Sequence, residues 1–231
     1  MATYSPTRIR PIKARLLDIV PSAPVWLALA AFTALLAYYG ANAADPSWEV
    51  GATRWIQSTS PGSLEATAEF MTVMGRSPIS TLIPLFAVGV LWALRHRGLA
   101  AFLGLAALAR VLSVVVKALV DRPRPSAALV DVANQLGDPS FPSGHVLGAT
   151  LLYGFLIYCA ERSITHPLLK RGIQGGLALV IVLMGYARVE LGEHWPTDVL
   201  GGYAIGLLVL SVVIWMHRRL EARGEQAPHE S

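Results

Sequence analysis

Apolar residues run almost unbroken through six stretches of the chain: 25–39, 78–94, 99–120, 146–160, 173–187 and 197–216. Each approaches the ~17 to 25 residues that an α-helix needs to cross a bilayer. Buried helices of a soluble protein can mimic one such stretch, but six of them divided by short polar breaks fit a membrane protein. The expected fold is therefore all-α, an integral membrane bundle of six transmembrane helices.

Composition points to the same solvent. Of 231 residues, 54% are hydrophobic and 15% charged, and the mean hydropathy of +0.50 is too apolar for an ordinary water-soluble domain. Lys and Arg then orient the bundle, because positive charge beside spans accumulates in the cytoplasm. Arg8, Arg10, Lys13 and Arg15, then Arg95 and Arg97, then Arg162, Lys170 and Arg171, and finally Arg218, Arg219 and Arg223 fall on one side. That side is read as the cytoplasm, which places both termini there in a multi-pass protein of the cell membrane. The other side receives Arg54 and Arg76, and a set that breaks the charge rule: Lys117, Arg122, Arg124 and Arg188. The net charge of +4 flanks apolar spans and does not suggest a nucleic-acid partner. One domain over 1–231 is expected, with a basic cytoplasmic tail at 1–22, an outer loop at 41–77, chemistry-bearing motifs within 117–198 and a cytoplasmic tail at 218–231. The first stretch, with its basic tail and Ala41-Asn42-Ala43, also has the form of a secretory signal; the long tail before it favours a retained span. Cys159 is the single cysteine, so no intrachain disulfide forms.

Sorting the histidines by side locates the chemistry. His96, His166, His217 and His229 fall in cytoplasmic turns or the tail, where solvated surface roles are expected, whereas His145 and His194 lie outside where loops meet helices. Two imidazoles and several cations on one membrane face suit a phosphate group. Its oxygens are held well by guanidinium forks and a lysine point charge, which Arg124, Arg188 and Lys117 supply. A helix starting near Ser143 and Gly144 adds unpaired N–H groups and the positive end of its dipole, and Gly144 lets the backbone come close. His145 in that first turn is placed to donate a proton to a leaving oxygen. His194 and Asp198 share a face if the sixth helix begins there, with Pro196 in its first turn. A carboxylate on one ring nitrogen fixes the tautomer and leaves the other free to attack phosphorus, making His194 the nucleophile candidate.

The order Lys117, six residues, Arg124-Pro125, then Pro142-Ser143-Gly144-His145, then Arg188, five residues, His194, three residues, Asp198 resembles the three-part signature of the type 2 phosphatidic acid phosphatase superfamily. The motifs cover 117–198 and the six-helix layout covers the rest. One departure is Ala187, where many relatives carry Ser before the third-motif arginine, which removes one phosphate hydrogen bond. The resemblance implies a phosphatase without metal or other cofactor, in which a histidine is transiently phosphorylated and water then releases phosphate. Carried over residue by residue, His194 attacks, Asp198 orients it, His145 protonates the leaving group, and Lys117, Arg124, Arg188, Ser143 and Gly144 hold the phosphate. The implied partners are membrane lipids and a lipid phosphate substrate such as phosphatidic acid, phosphatidylglycerophosphate or a polyprenyl diphosphate like undecaprenyl diphosphate.

Simpler roles stand beside these. Lys117 alone could snorkel to the interface. Arg122-Pro123-Arg124-Pro125 could be a rigid polar turn, and only the family spacing prefers Arg124 to Arg122. His194 and Asp198 could be a structural pair, and Arg110, seven residues before Lys117 on the same helix face, reads as an interhelical partner. The outer loop, with Trp48, Trp55, Glu65 and Glu69, is expected to lie along the interface as an anchor or as a gate for lipid. Rival functions are a transporter of a phosphate-bearing solute, a zinc site of His145, His194 and Asp198, and a phosphotransferase that passes phosphate to another lipid. Two histidines favour catalysis over transport, and the surrounding cations oppose a dication.

Overall fold

The computed structural model describes residues 23–42, 47–60 and 62–226; Arg8, Arg10, Lys13 and Arg15 of the amino tail, Ala43 and His229 lie outside them. The regular elements are helices: α1 (Ala23–Asn42), α2 (Ser47–Thr59), α3 (Gly62–Gly75), α4 (Ile79–Ala93), α5 (Arg97–Leu108), a 3-10 turn at Ala109–Val111, α6 (Leu112–Val120), α7 (Gly144–Ser163), α8 (Pro167–Glu190) and α9 (Pro196–Gln226). Among the described residues five spans are long and apolar enough to cross a membrane: α1, Arg97–Val120 through the 3-10 turn, α7, α8 and α9. The sixth, expected over 78–94, is the 15-residue α4, which reaches membrane length only together with α3 across a 67° bend. Pro78 stands at that bend, where its ring prevents helix from continuing through.

Two expectations are corrected. The outer loop at 41–77 is largely helical in its described residues: Ala68, Met71 and the polar Thr72 form one buried face of α3, directed at α8. Its tryptophans do point outward, Trp48 and Trp55 both being exposed. His217 is not a solvated tail residue. Since α9 continues past 216, the ring turns inward, meets the Tyr158 hydroxyl at 3.0 Å and stands edge-on to Phe102.

The core runs along α5, α7 and α9, where Leu103, Leu147, Leu151, Phe155, Ile205 and Val213 interlock; a second cluster joins α3, α7 and α8 through Ala68, Met71, Val146 and Met184. The outward faces are equally apolar. Leu27, Phe86 and Leu119 are 70%, 75% and 78% exposed, which suits hydrocarbon rather than water. Small residues let α7 and α9 approach: a Cβ at Gly202 would lie 2.9 Å from the Ser143 carbonyl oxygen, and one at Gly206 would lie 2.7 Å from Thr150. That close crossing sets the start of α7 against the start of α9. At the opposite end, Arg95, Arg97, Arg162, His217 and Glu221 surround one cavity.

Candidate active site

Three backbone devices assemble the site. Asp121 ends α6 in a left-handed conformation with φ +46°, and the loop that follows is closed by a 2.8 Å hydrogen bond from Ser140 N to Arg122 O. Ser143 N donates to Asp198 O at 3.0 Å, tying the start of α7 to the first turn of α9. Between α8 and α9, Gly192 adopts φ +61°, and a Cβ there would lie 2.0 Å from the Asp131 carbonyl, so only glycine fits this turn. The backbone N–H groups of Glu193 and His194 then both donate to Arg188 O at 3.1 Å.

His194 is fully enclosed and its two ring nitrogens face different chemistry. Nδ1 lies 3.7 Å from Asp198 Oδ2, an ion-pair separation longer than a hydrogen bond, and 3.4 Å from Ser140 Oγ. Nε2 lies 3.2 Å from Arg124 Nη1. Burial drives the ring toward its neutral form; Asp198 opposes this, while the charges of Arg124 and Lys117 add to it. A neutral ring keeps a lone pair on one nitrogen, and the carboxylate beside Nδ1 directs that lone pair to Nε2.

Lys117 and Arg124 meet over one carboxylate that sequence reasoning missed. Asp138 accepts from Lys117 Nζ at 2.7 Å and from Arg124 Nη2 at 2.9 Å, and its side chain is 55% exposed. Lys117 also donates to Pro139 O, and Arg124 to Asp138 O at 2.8 Å and Glu193 O at 2.5 Å. Burial alone would raise the Asp138 carboxyl, but the Lys117 hydrogen bond and the two positive charges bring it down to about 2. Because the folded value lies below the ordinary 3.8, the clasp is complete above pH ~4 and is lost only as pH falls through about 2. Protonation near neutrality does not open it.

Arg188 is buried, with Nη1 donating to Glu193 and Nη2 to Thr72 of α3; Glu193 in turn accepts from Asn134 Nδ2 at 2.9 Å. This holds the guanidinium in place, and Glu193 joins it to the Asp138 clasp, since the Glu193 carbonyl accepts from Arg124. Ser143 caps α7 with extended backbone, and its hydroxyl is buried without a partner among the described residues, beside the free N–H groups of the helix start. Gly144 opens α7, and His145 follows on the wall of a groove. Ile83, Pro84, Ala107, Leu152 and Met184 make that groove apolar, and it passes between the α3–α4 bend and α7. Gly75 allows the ring its place, since a Cβ there would lie 2.2 Å from His145 Cδ2.

Arg122 and Arg124, two residues apart, are sorted by burial. Arg122 is 1% exposed and donates to Asp198 Oδ1 at 2.7 Å, Thr197 Oγ1 at 2.6 Å and Glu49 Oε2 at 2.5 Å. Glu49 Oε1 accepts from Thr197 N at 2.9 Å and Thr197 Oγ1 at 2.5 Å. Asp198 Oδ2 accepts from Trp195 N at 2.8 Å and from Ser140 Oγ. Arg122 thus holds the carboxylate that faces His194, while Arg124 reaches His194 itself. Glu49, Ser140, Thr72 and Glu193 were all missed by sequence reasoning; the one available signal was acidic Glu49 in the first turn of an amphipathic helix.

Residues 98–222 match the model of the PAP2 superfamily. Phosphatidylglycerophosphatase B of Bacillus subtilis is 36% identical over 107 residues, covering 45% of this chain, and the match spans only half of that relative's length. Decaprenylphosphoryl-5-phosphoribose phosphatase of Mycobacterium tuberculosis is 35% identical over 73% of this chain and 90% of its own. The crystal structure of a transmembrane PAP2 type phosphatidylglycerolphosphate phosphatase from Bacillus subtilis superposes with a TM-score of 0.73 at 25% identity, over 84% of this chain and 96% of that one.

Proposed function

This chain belongs to the PAP2 superfamily, and from that premise we propose that it hydrolyses a lipid phosphate through a phosphohistidine on the outer membrane face. The observation that carries the reading is the enclosed His194, with Asp198 toward Nδ1 and Arg124 toward Nε2, on the same end of the bundle as His145, which lines an apolar groove. The lone pair of Nε2 forms an N–P bond while the bond from phosphorus to the leaving oxygen breaks. The electron pair stays on that oxygen, which takes a proton from His145, and the freed lipid returns along the groove. Water then attacks phosphorus, His145 accepts its proton, and the N–P bond breaks to restore neutral His194 and release phosphate. Lys117, Arg124 and Arg188 offset charge on the phosphoryl oxygens, and Ser143 and Gly144 meet them at the start of α7. Asp138 holds Lys117 and Arg124 until phosphate displaces it.

The chemistry of the donors argues against zinc. Asp198 already accepts from Arg122, Ser140 and Trp195, and a guanidinium stands 3.2 Å from His194 Nε2. The decisive assay presents the purified protein with phosphatidate, phosphatidylglycerophosphate and a polyprenyl diphosphate, following free phosphate and any new phospholipid. Activity should survive prolonged chelation and be inhibited competitively by vanadate, which adopts the five-coordinate geometry of the attacked phosphorus. Asp138→Asn should tighten vanadate inhibition about 3- to 10-fold, since a competing charge is removed from Lys117 and Arg124. Loss to chelator with recovery on zinc, or phosphate appearing only on a second lipid, would reject hydrolysis by this mechanism.

The face follows from charge. Arg95, Arg97 and Arg162 gather at the end of the bundle opposite the site, and the cytoplasm retains such clusters. In a Cys159→Ser background, Ala128→Cys should react with an impermeant thiol reagent from outside intact cells, and Ser163→Cys only after the membrane is opened. The reverse pattern would place the site inside.

A further inference from the structure

Arg110 is the odd charge in the groove. It occupies the 3-10 turn that interrupts the span Arg97–Val120, yet its side chain is exposed rather than packed inside the bundle. Its one hydrogen bond among the described residues is a 3.5 Å approach to Ser80 O, at the limit for such a bond, and no carboxylate pairs with it there. An arginine at membrane depth without a carboxylate partner carries a large desolvation penalty unless it meets an anion. Its Cβ lies 4.0 Å from where a Cβ on Gly148 would stand, one turn along α7 from His145, and it lines the same apolar groove as His145. Seven residues, about 10 Å of helix, separate it from Lys117 at the phosphate end.

We propose that Arg110 forms a second anion subsite, on the leaving-group side of His145, for lipids that carry a phosphodiester or a second phosphate beyond the scissile oxygen. The proposal rests on the hydrolase reading above. When a lipid diphosphate is attacked at its terminal phosphorus, the bridging P–O bond breaks and its electrons remain on the lipid monophosphate. Negative charge therefore grows on the group nearest Arg110 as the reaction proceeds. A cation fixed there in an apolar groove stabilises the transition state more than the bound substrate. The phosphodiester of phosphatidylglycerophosphate is charged before and after its alcohol leaves, so there Arg110 contributes to binding and acts through KM, whereas phosphatidate has no second charge and gains nothing from it.

The test compares kcat/KM on substrates that differ in this one feature: a polyprenyl diphosphate against the monophosphate of the same chain, and phosphatidylglycerophosphate against phosphatidate. Arg110→Gln should lower the diphosphate and phosphatidylglycerophosphate values by roughly 10- to 100-fold while changing the two monoesters by less than about threefold. A loss confined to the diphosphate would assign the subsite to a second phosphate, and one confined to phosphatidylglycerophosphate would assign it to the phosphodiester. Arg110→Lys, which keeps the charge and the fold if Arg110→Gln is unstable, should lie between wild type and Arg110→Gln on the same ratios. Equal losses on all four substrates, or none, would overturn the subsite while leaving the hydrolase intact. A wild-type protein no more active than His194→Ala would instead remove the hydrolase reading, and the subsite with it.

Discussion

His194→Ala is expected to insert and fold normally and to lose at least about 10⁴-fold in kcat, because no other side chain at the site offers a nucleophile with Asp198 behind it. The covalent step makes the result specific. Wild type quenched during turnover of a substrate labelled in the scissile phosphate should carry acid-labile, alkali-stable phosphate, and His194→Ala should carry none. Asp198→Asn should lose less, since the amide removes charge and confuses the tautomer but leaves Nε2 in place. Near-normal turnover in His194→Ala would end the assignment. A loss in Asp198→Asn that matched or exceeded it, at unchanged thermal stability, would give the carboxylate a role beyond orientation.

The residues legible in the sequence were those whose chemistry is unusual for their surroundings. Two histidines and four cations on the wrong side of a charge pattern stand out without a structure, and the structure brings His145, His194, Asp198, Ser143, Lys117, Arg124 and Arg188 to one end of the bundle. The spans were legible for a related reason, since hydrocarbon demands long uniform runs. The sixth was read at 78–94, where α4 lies, but not the share of its length that α3 supplies across a bend. What could not be read were carboxylates whose roles depend on distant partners. Glu49 and Arg122 are 73 positions apart, and Asp138 sits in a loop with no helical or strand period. Acidic residues near membrane ends are ordinary in sequence; only the fold shows that Glu49 is enclosed and that Asp138 bridges two cations.

The second large effect falls on that enclosed network and separates the two arginines that spacing alone left in contention. Arg122, Glu49 and Asp198 have side chains that are 0% exposed, so Arg122→Gln strands two carboxylates without their counter-charge. Removing one member of a buried ion pair typically costs about 3 to 5 kcal/mol, because the charge left behind loses water and partner alike. For a chain of this length that corresponds to an unfolding temperature in detergent lower by roughly 6 to 20 °C. Glu49→Gln added to Arg122→Gln should recover part of the loss, since it removes one of the stranded charges, a non-additivity expected only of groups in contact. Arg124→Gln should behave oppositely. Its partner Asp138 is half exposed, so the unfolding temperature should stay within roughly 4 °C of wild type, while kcat/KM falls about 10²- to 10³-fold for want of a charged donor at the phosphate. Arg122→Gln at wild-type stability, or Arg124→Gln unfolding as early as Arg122→Gln, would mean that the buried clamp and the substrate-facing fork have been assigned to the wrong arginines.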